Sequence, residues 1–271
     1  MHDKIDIYCR ANKGFVLPHN SYEPAQAAQD DFIETKEAFS PDSSYTPEDP
    51  VKIAALDFDG TLISGQSGSE LVYYLISRKL MDWKLVLKVG WWGIRYKLRL
   101  PVEQSEVRED IFSLFTNKST ETVSRFMHEF HTKHLIRMYT QDVFNEVARL
   151  QREGYYVIIV SASFMHIVLP AAEHINADAV LATQMQHTVD GSGFTGKVDG
   201  LPVEGEQKVY SIVEFANAKF GENNWVLDCA YGDHYSDWHM LDFAVQGYAV
   251  NPDTKMEDIA KQKGWPILHW K

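Results

Sequence analysis

The strongest constraint on the fold is a set of short apolar runs that break off at polar or acidic residues. Ile53-Ala54-Ala55-Leu56-Asp57-Phe58 is the first, and Tyr155 to Val160, Trp225 to Tyr231 and Gly247 to Val250 follow. Ala179-Val180-Leu181 adds another. A strand with one wet face alternates apolar and polar residues, whereas a strand buried on both faces is apolar throughout. Stretches with helical spacing separate these runs. Strands alternating with helices imply an α/β fold, a doubly wound parallel sheet covered on both faces. With 45% hydrophobic residues in 271, the chain can form a substantial core.

Residues 66–149 carry no strand signal. Leu71, Tyr74 and Leu75 begin one helical pattern, and Val123, Phe126, Met127 and Phe130 form a second. Val143, Phe144, Val147 and Leu150 form a third, with Thr140 as its expected N-cap. This reads as a helical cap inserted just after the first strand, where ligands bind in open α/β folds and where a lid can act. The core then comprises residues 51–65 and 150–271. Residues 183–198 alternate in polarity around Asp190-Gly191, a hairpin signal.

Residues 1–50 differ in kind. Ten acidic residues stand against four basic ones, and Pro18, Pro24, Pro41 and Pro47 interrupt any regular pattern. The expectation is a partly irregular acidic extension with a short helix near Gln26 to Ala38. Either a loosely held tail or a wrap around the domain or a second subunit fits it.

A net charge of −12 argues against a general nucleic-acid binder, which needs clustered Lys and Arg. Cys9 and Cys229 are too few for a disulfide framework and lack the spacing of a zinc site. The N-terminus shows no basic region followed by an apolar stretch, so no signal peptide is expected. Tyr155 to Ala172 contains Ser161, Ser163, His166 and Pro170, and reads as strand, turn and helix rather than a membrane span. A soluble cytoplasmic protein is the expectation. The sequence leaves its oligomeric state open.

Four segments fall at the carboxyl ends of the expected strands. In Asp57-Phe58-Asp59-Gly60-Thr61 the alternation of a strand end lets the two carboxylates point differently. Two carboxylates so close can share a divalent cation, which also eases their repulsion. In Val160-Ser161-Ala162-Ser163, a hydroxyl followed by free backbone N–H groups at a helix start can hold phosphate oxygens. Lys208, in Gly205-Glu206-Gln207-Lys208, can supply a cation to a phosphoryl group. In Gly232-Asp233-His234-Tyr235-Ser236-Asp237, two acids four apart suit a hard cation.

In this order, these segments resemble the haloacid dehalogenase superfamily over residues 51–271, and most closely its phosphoserine-phosphatase-like subfamily IB. Ala249-Val250-Asn251-Pro252-Asp253 and Gly264-Trp265-Pro266 are similar to that group too. The resemblance implies a Rossmann-like core and a Mg2+-dependent phosphatase. It implies that Asp57 is the nucleophile and that Asp59 is the acid and then the base. It also implies that the Asp57 carboxylate, the Asp59 carbonyl and Asp233 hold the metal. Ser161, Ala162 and Lys208 would bind phosphate, Asp237 would orient metal waters or Lys208, and Gly60 and Thr61 would support the loop. An acid at Asp59 favours a phosphatase over a dehalogenase, because an alkoxide leaving group needs a proton.

The expected substrate is a small phosphorylated metabolite. In phosphoserine phosphatases a glutamate that pairs with the substrate amine stands where this chain has Gln66, and a neutral amide cannot supply that charge pair. Phosphoserine is therefore not expected. Trp83, Lys84, Lys88, Trp91, Trp92, Arg95, Tyr96, Lys97 and Arg99 mix aromatic and basic character in an acidic chain. One reading is a helical hairpin with aromatics in its core. The alternative is a surface for peripheral membrane contact and a lipid or amphipathic phosphate, without membrane insertion. A phosphotransferase using the same intermediate is a further alternative. His128, His131 and His134 step around a helix without a ligand set and are expected to be solvated rather than a metal site.

Overall fold

The computed structural model describes residues 6–7, 50–97 and 104–271. The strands of the main sheet are β1 Asp6–Ile7, β2 Val51–Leu56, β3 Tyr156–Phe164, β4 Ala179–Thr183, β7 Trp225–Gly232, β8 Gln246–Val250 and β9 Ile267–Leu268. They run in the order β1-β4-β3-β2-β7-β8-β9, and every neighbouring pair is parallel. Two short antiparallel strands, β5 Met185–His187 and β6 Phe194–Val198, form the hairpin expected around Asp190-Gly191.

Successive strand side chains point to opposite faces. Ala54 and Leu56 of β2 and Val157 and Ile159 of β3 therefore enter one apolar core, and Ile53, Ala55, Ile158 and Val160 enter another. The first core is closed by helices α1 Ser67–Ser77, α4 Thr120–Phe130, α5 Gln141–Arg152 and α6 Met165–Ile175, through Leu71, Met127, Val147 and Val168. The second is closed by α7 Glu206–Phe220, α8 Trp238–Phe243 and α9 Thr254–Lys263, through Ile212, Leu241 and Met256. Each fully buried Leu, Ile or Phe contributes roughly 1.5–3 kcal/mol. This two-sided burial is why the strands are apolar throughout.

The insertion after β2 also contains α2 Trp83–Lys97 and α3 Gln104–Ser113. Every named element between β2 and β3 is helical. Helix α4 starts at Ser119, whose side chain accepts from the Thr122 N–H. Thr140 precedes α5 as expected, but its hydroxyl makes no capping bond.

The chain builds β2, β3 and β4 outward on one side, then returns to β7 beside β2 and continues outward the other way. This reversal opens a crevice at the carboxyl ends of β2 and β7. The site lies there.

Some expectations are corrected. The apolar run of β3 stops at Val160, but pairing with β4 continues through Ser161 to Phe164, with a register shift between those two residues. Backbone hydrogen bonding does not require apolar side chains, so the strand outlasts the run. Ser161 is therefore not at a helix start, because α6 begins at Met165. Within the acidic extension, Asp6–Ile7 pairs with β4. The helix expected near Gln26 to Ala38 lies outside the described residues.

The three histidines are not uniformly solvated. After α4 the backbone widens into a π-turn at His131–Leu135, which changes the helical phase. His131 is buried, with Nε2 3.1 Å from the Tyr139 hydroxyl. His128 meets Glu173 at 2.8 Å. The aromatic core expected in the second cap helix is also absent where it is described. Trp83 is 68% exposed and Trp91 62%. The side chains of Trp92, Arg95, Tyr96 and Lys97, and residue Arg99, lie outside the described part.

Candidate active site

Strand β2 ends at Leu56, and the next residue, Asp57, donates its backbone N–H to the Tyr231 carbonyl of β7 at 2.9 Å. The sheet ladder thus carries Asp57 to the crevice. Its carboxylate is buried, and Oδ1 accepts a hydrogen bond from Lys208 Nζ at 2.5 Å. The same Nζ donates to Asp237 Oδ1 at 2.5 Å. Lys208 lies in the first turn of α7 and is only 2% exposed, so it is not a solvated helix charge.

Asp233 follows β7, and Asp237 closes the short turn Tyr235–Asp237 after it. Asp237 Oδ2 accepts from the His234 N–H at 3.2 Å, which fixes the turn. One carboxylate oxygen from each of Asp57, Asp233 and Asp237 lies within 4.8 Å of the others. Two glycines make this crowding feasible. Gly60 has φ +81, and a Cβ there would sit 2.0 Å from Asp233 Oδ2. A Cβ at Gly232 would sit 2.7 Å from Asp237 Cβ. Gly60 is thus needed both for its left-handed backbone and for the close approach of Asp233.

Two buried carboxylates and the half-buried Asp233 face one buried ammonium. Burial pushes the Asp57 carboxyl well above the ordinary carboxylate range, against the pull of Lys208. Burial, together with the charges of Asp57 and Asp237, pushes Asp233 up as well. The two acids hold Lys208 far above the usual ammonium range despite its burial. Asp233 Oδ1 is buried with no hydrogen-bond partner. An unpaired buried carboxylate oxygen is costly, and a hard divalent cation would relieve both the orphaned atom and the repulsion. The residues therefore fit Mg2+. Among the described residues, this is the one group of three such side chains that could hold a metal ion.

Asp59 points elsewhere. Its Oδ2 accepts from the Ser163 hydroxyl at 2.5 Å and from the Ser67 hydroxyl at 3.0 Å. Its Oδ1 accepts from the Ser67 backbone N–H. Burial raises its carboxyl above the ordinary range, opposed by these hydrogen bonds. Asp57 and Asp59 thus occupy different surroundings two residues apart. The Asp59 side chain stands outside the three-carboxylate group.

Ser161 is buried, and its Oγ accepts from the Ser163 N–H at 3.0 Å. The Ala162 carbonyl accepts from the Thr183 hydroxyl at 2.8 Å. Thr61 is buried with its hydroxyl unpaired. Gln66 is exposed at the N-cap of α1, directly before Ser67. The structure brings together Asp57, Lys208, Asp233 and Asp237, and sets Asp59 beside them.

Sequence reading missed Ser67 and Ser163 as the partners of Asp59. The second hydroxyl of Ser161-Ala162-Ser163 was a signal for one of them. Ser67 had no local signal, because only the fold brings the start of α1 to the end of β3. Tyr139 was missed too. It is half-buried, and burial with the charge of Asp59 raises its phenol.

A family model described as haloacid dehalogenase-like hydrolase matches residues 54–242. A histidinol-phosphatase of Neisseria meningitidis is 26% identical over 226 residues, which are 81% of this chain and 99% of that protein. A solved structure of a protein of unknown function from Bordetella pertussis superposes with TM-score 0.73 at 19% identity, covering 81% of this chain and 98% of that one. A phosphoserine phosphatase, solved with an analogue of its phospho-aspartyl intermediate, superposes with TM-score 0.53 at 22% identity. That match covers 82% of this chain and 94% of the other. The chain belongs to the haloacid dehalogenase-like hydrolase family, and within it to the phosphatases similar to phosphoserine phosphatase.

Proposed function

We propose that this phosphatase hydrolyses small phosphate monoesters with Mg2+ and forms an aspartyl-phosphate, an acyl phosphate, on Asp57. One observation carries the reading: Asp57 is held by a buried lysine among two further acids, while Asp59 sits apart in a neutral serine cradle. Two carboxylates in unlike surroundings suit unlike roles.

Mg2+ bound by the Asp57 and Asp233 carboxylates and the Asp59 carbonyl would neutralise charge on the phosphoryl oxygens. Lys208 fixes the Asp57 carboxylate and would add positive charge to the phosphoryl oxygens, which Ser161 and the backbone N–H of Ala162 would also bind. Asp57 attacks phosphorus, and the bond to the leaving oxygen breaks. Asp59, whose burial favours the protonated form, gives that oxygen its proton. Asp59 then removes a proton from water, which attacks the phosphoryl group and frees Asp57. Ser67 and Ser163 hold Asp59 in place for both transfers. Asp237 holds Lys208.

The substrate is not phosphoserine in this reading, because Gln66 offers no charge to an amine. The test is hydrolysis of an aryl phosphate with and without Mg2+, in the native protein and in Asp57→Asn. Activity should require the metal and should fall on the order of 10⁴-fold in the variant. Robust turnover by Asp57→Asn sinks the proposal. A panel of phosphate esters that includes phosphoserine then tests the role of Gln66.

A further inference from the structure

Helix α2 carries apolar residues on its outer side as well as its inner one. Leu85, Val86 and Val89 face the protein, with Val89 buried and the other two packed against the core. Trp83, Leu87 and Trp91 stand on the opposite side and are 68%, 63% and 62% exposed. Steps of four residues keep these three on one stripe. A helix apolar on both sides has a second apolar medium to meet.

The charge pattern points to what that medium is. Residues 67–97 carry six basic residues, Arg78, Lys79, Lys84, Lys88, Arg95 and Lys97, against Glu70 and Asp82, in a chain of net charge −12. Lys84 lies over the Trp83 ring at 5.9 Å. Lys88 reaches Asp110 at 2.6 Å, and Arg78 reaches Glu129 at 2.9 Å, so these two are partly answered. Lys79 and Lys84 are exposed. The described part of the stripe is also smaller than a standard protein interface. Two Trp and one Leu at these exposures present on the order of 400–500 Å², against roughly 800 Å² per partner in a standard interface. Trp beside Lys on one narrow helix face is the composition of a segment lying in a membrane interface.

We infer that the outer face of α2 docks on an anionic lipid bilayer, with Trp83, Leu87 and Trp91 entering the headgroup region and Lys79 and Lys84 meeting lipid phosphates. The acidic remainder of the chain is repelled by such a surface, so the protein binds with this face toward the lipid. The contact is peripheral. No described helix is long and apolar enough to cross a membrane. Docking does not depend on the phosphatase reading: its test reads vesicle binding, and turnover serves there only as a check of folding.

The experiment is flotation of the full chain with phosphatidylcholine vesicles, made with and without phosphatidylserine. Binding is expected to the phosphatidylserine vesicles and to weaken with added salt. Lys79→Ala and Lys84→Ala should each weaken it about fivefold, and Trp83→Ser/Trp91→Ser should weaken it at least about tenfold. All variants should keep the native rate on a soluble aryl phosphate, which shows that they are folded. If the double Trp variant loses that rate, the two lysine variants and the salt dependence decide the matter alone. Absence of binding to either vesicle overturns the inference, as does binding unchanged in the variants. A lipid-free dimer that the Trp substitutions dissociate also overturns it, because the face then joins two copies of the chain.

Discussion

The crevice at the ends of β2 and β7 and the outer face of α2 break the ordinary partition of side chains in opposite ways. In the crevice, Asp57, Lys208 and Asp237 are charged and buried. On α2, two tryptophans and a leucine are apolar and exposed. The crevice is over-determined, with Asp57 and Asp237 both held by Lys208 and two glycines shaped around the acids. Among the described residues, the α2 face is held only from behind. Sites that make or stabilise charge need the first arrangement, and surfaces awaiting a partner have the second.

The difference can be probed from either side. After the loss expected in Asp57→Asn, the largest effect is expected from Asp233→Asn. It removes one carboxylate from the three-acid group and should raise the Mg2+ concentration for half-maximal activity about 10²-fold. Titration of activity against Mg2+ checks this, and an unchanged requirement would remove Asp233 from the metal set. Gly60→Ala should lower stability by about 1–3 kcal/mol through its positive φ. It should also raise the Mg2+ concentration for half-maximal activity, as Asp233→Asn does, because the new Cβ displaces that carboxylate. Denaturant unfolding and the Mg2+ titration read the two effects separately.

Protonation gives a test of the crevice as a whole. Asp57, Asp59 and Asp233 have folded-state pKa values above those of an unfolded chain. The folded state therefore binds more protons than the unfolded state, and stability falls as pH rises from the ordinary carboxylate range through neutrality. Metal-free protein should accordingly melt highest under mildly acidic conditions. Mg2+ should raise the melting temperature most at the alkaline end, where the carboxylates are ionised. A flat profile, or one that rises with pH without metal, would contradict the buried cluster. The smallest effect belongs to the other region. Trp83→Ser should change stability by no more than about 0.5 kcal/mol, since the ring is largely in water. A larger loss would show that α2 is held from outside as well as from behind.

Much of the site was legible because catalysis here uses short segments at strand ends. Asp57 and Asp59 share one such segment, Asp233 and Asp237 another, and each follows an apolar run that marks its strand. The hairpin at Asp190-Gly191 was legible for the same reason, as a local turn signal between alternating residues. Ser67 was not. It lies 96 residues from Ser163, and the two converge on Asp59 only because α1 and the end of β3 meet in the fold. Nor could helical spacing say which face of α2 would be buried, since both faces are apolar.

The sequence by itself determined a parallel sheet buried on both sides and the acids at its edge, because hydrophobic period and strand-end chemistry are local properties. Tertiary structure alone decided that Asp57 would lie within a hydrogen bond of Lys208, 151 residues away, and that Asp59 would turn from the metal group into a cradle of two serines. It also decided that Trp83 and Trp91 would remain in water. Those outcomes depend on which surfaces compete for the same buried space, and that competition exists only once the chain has folded.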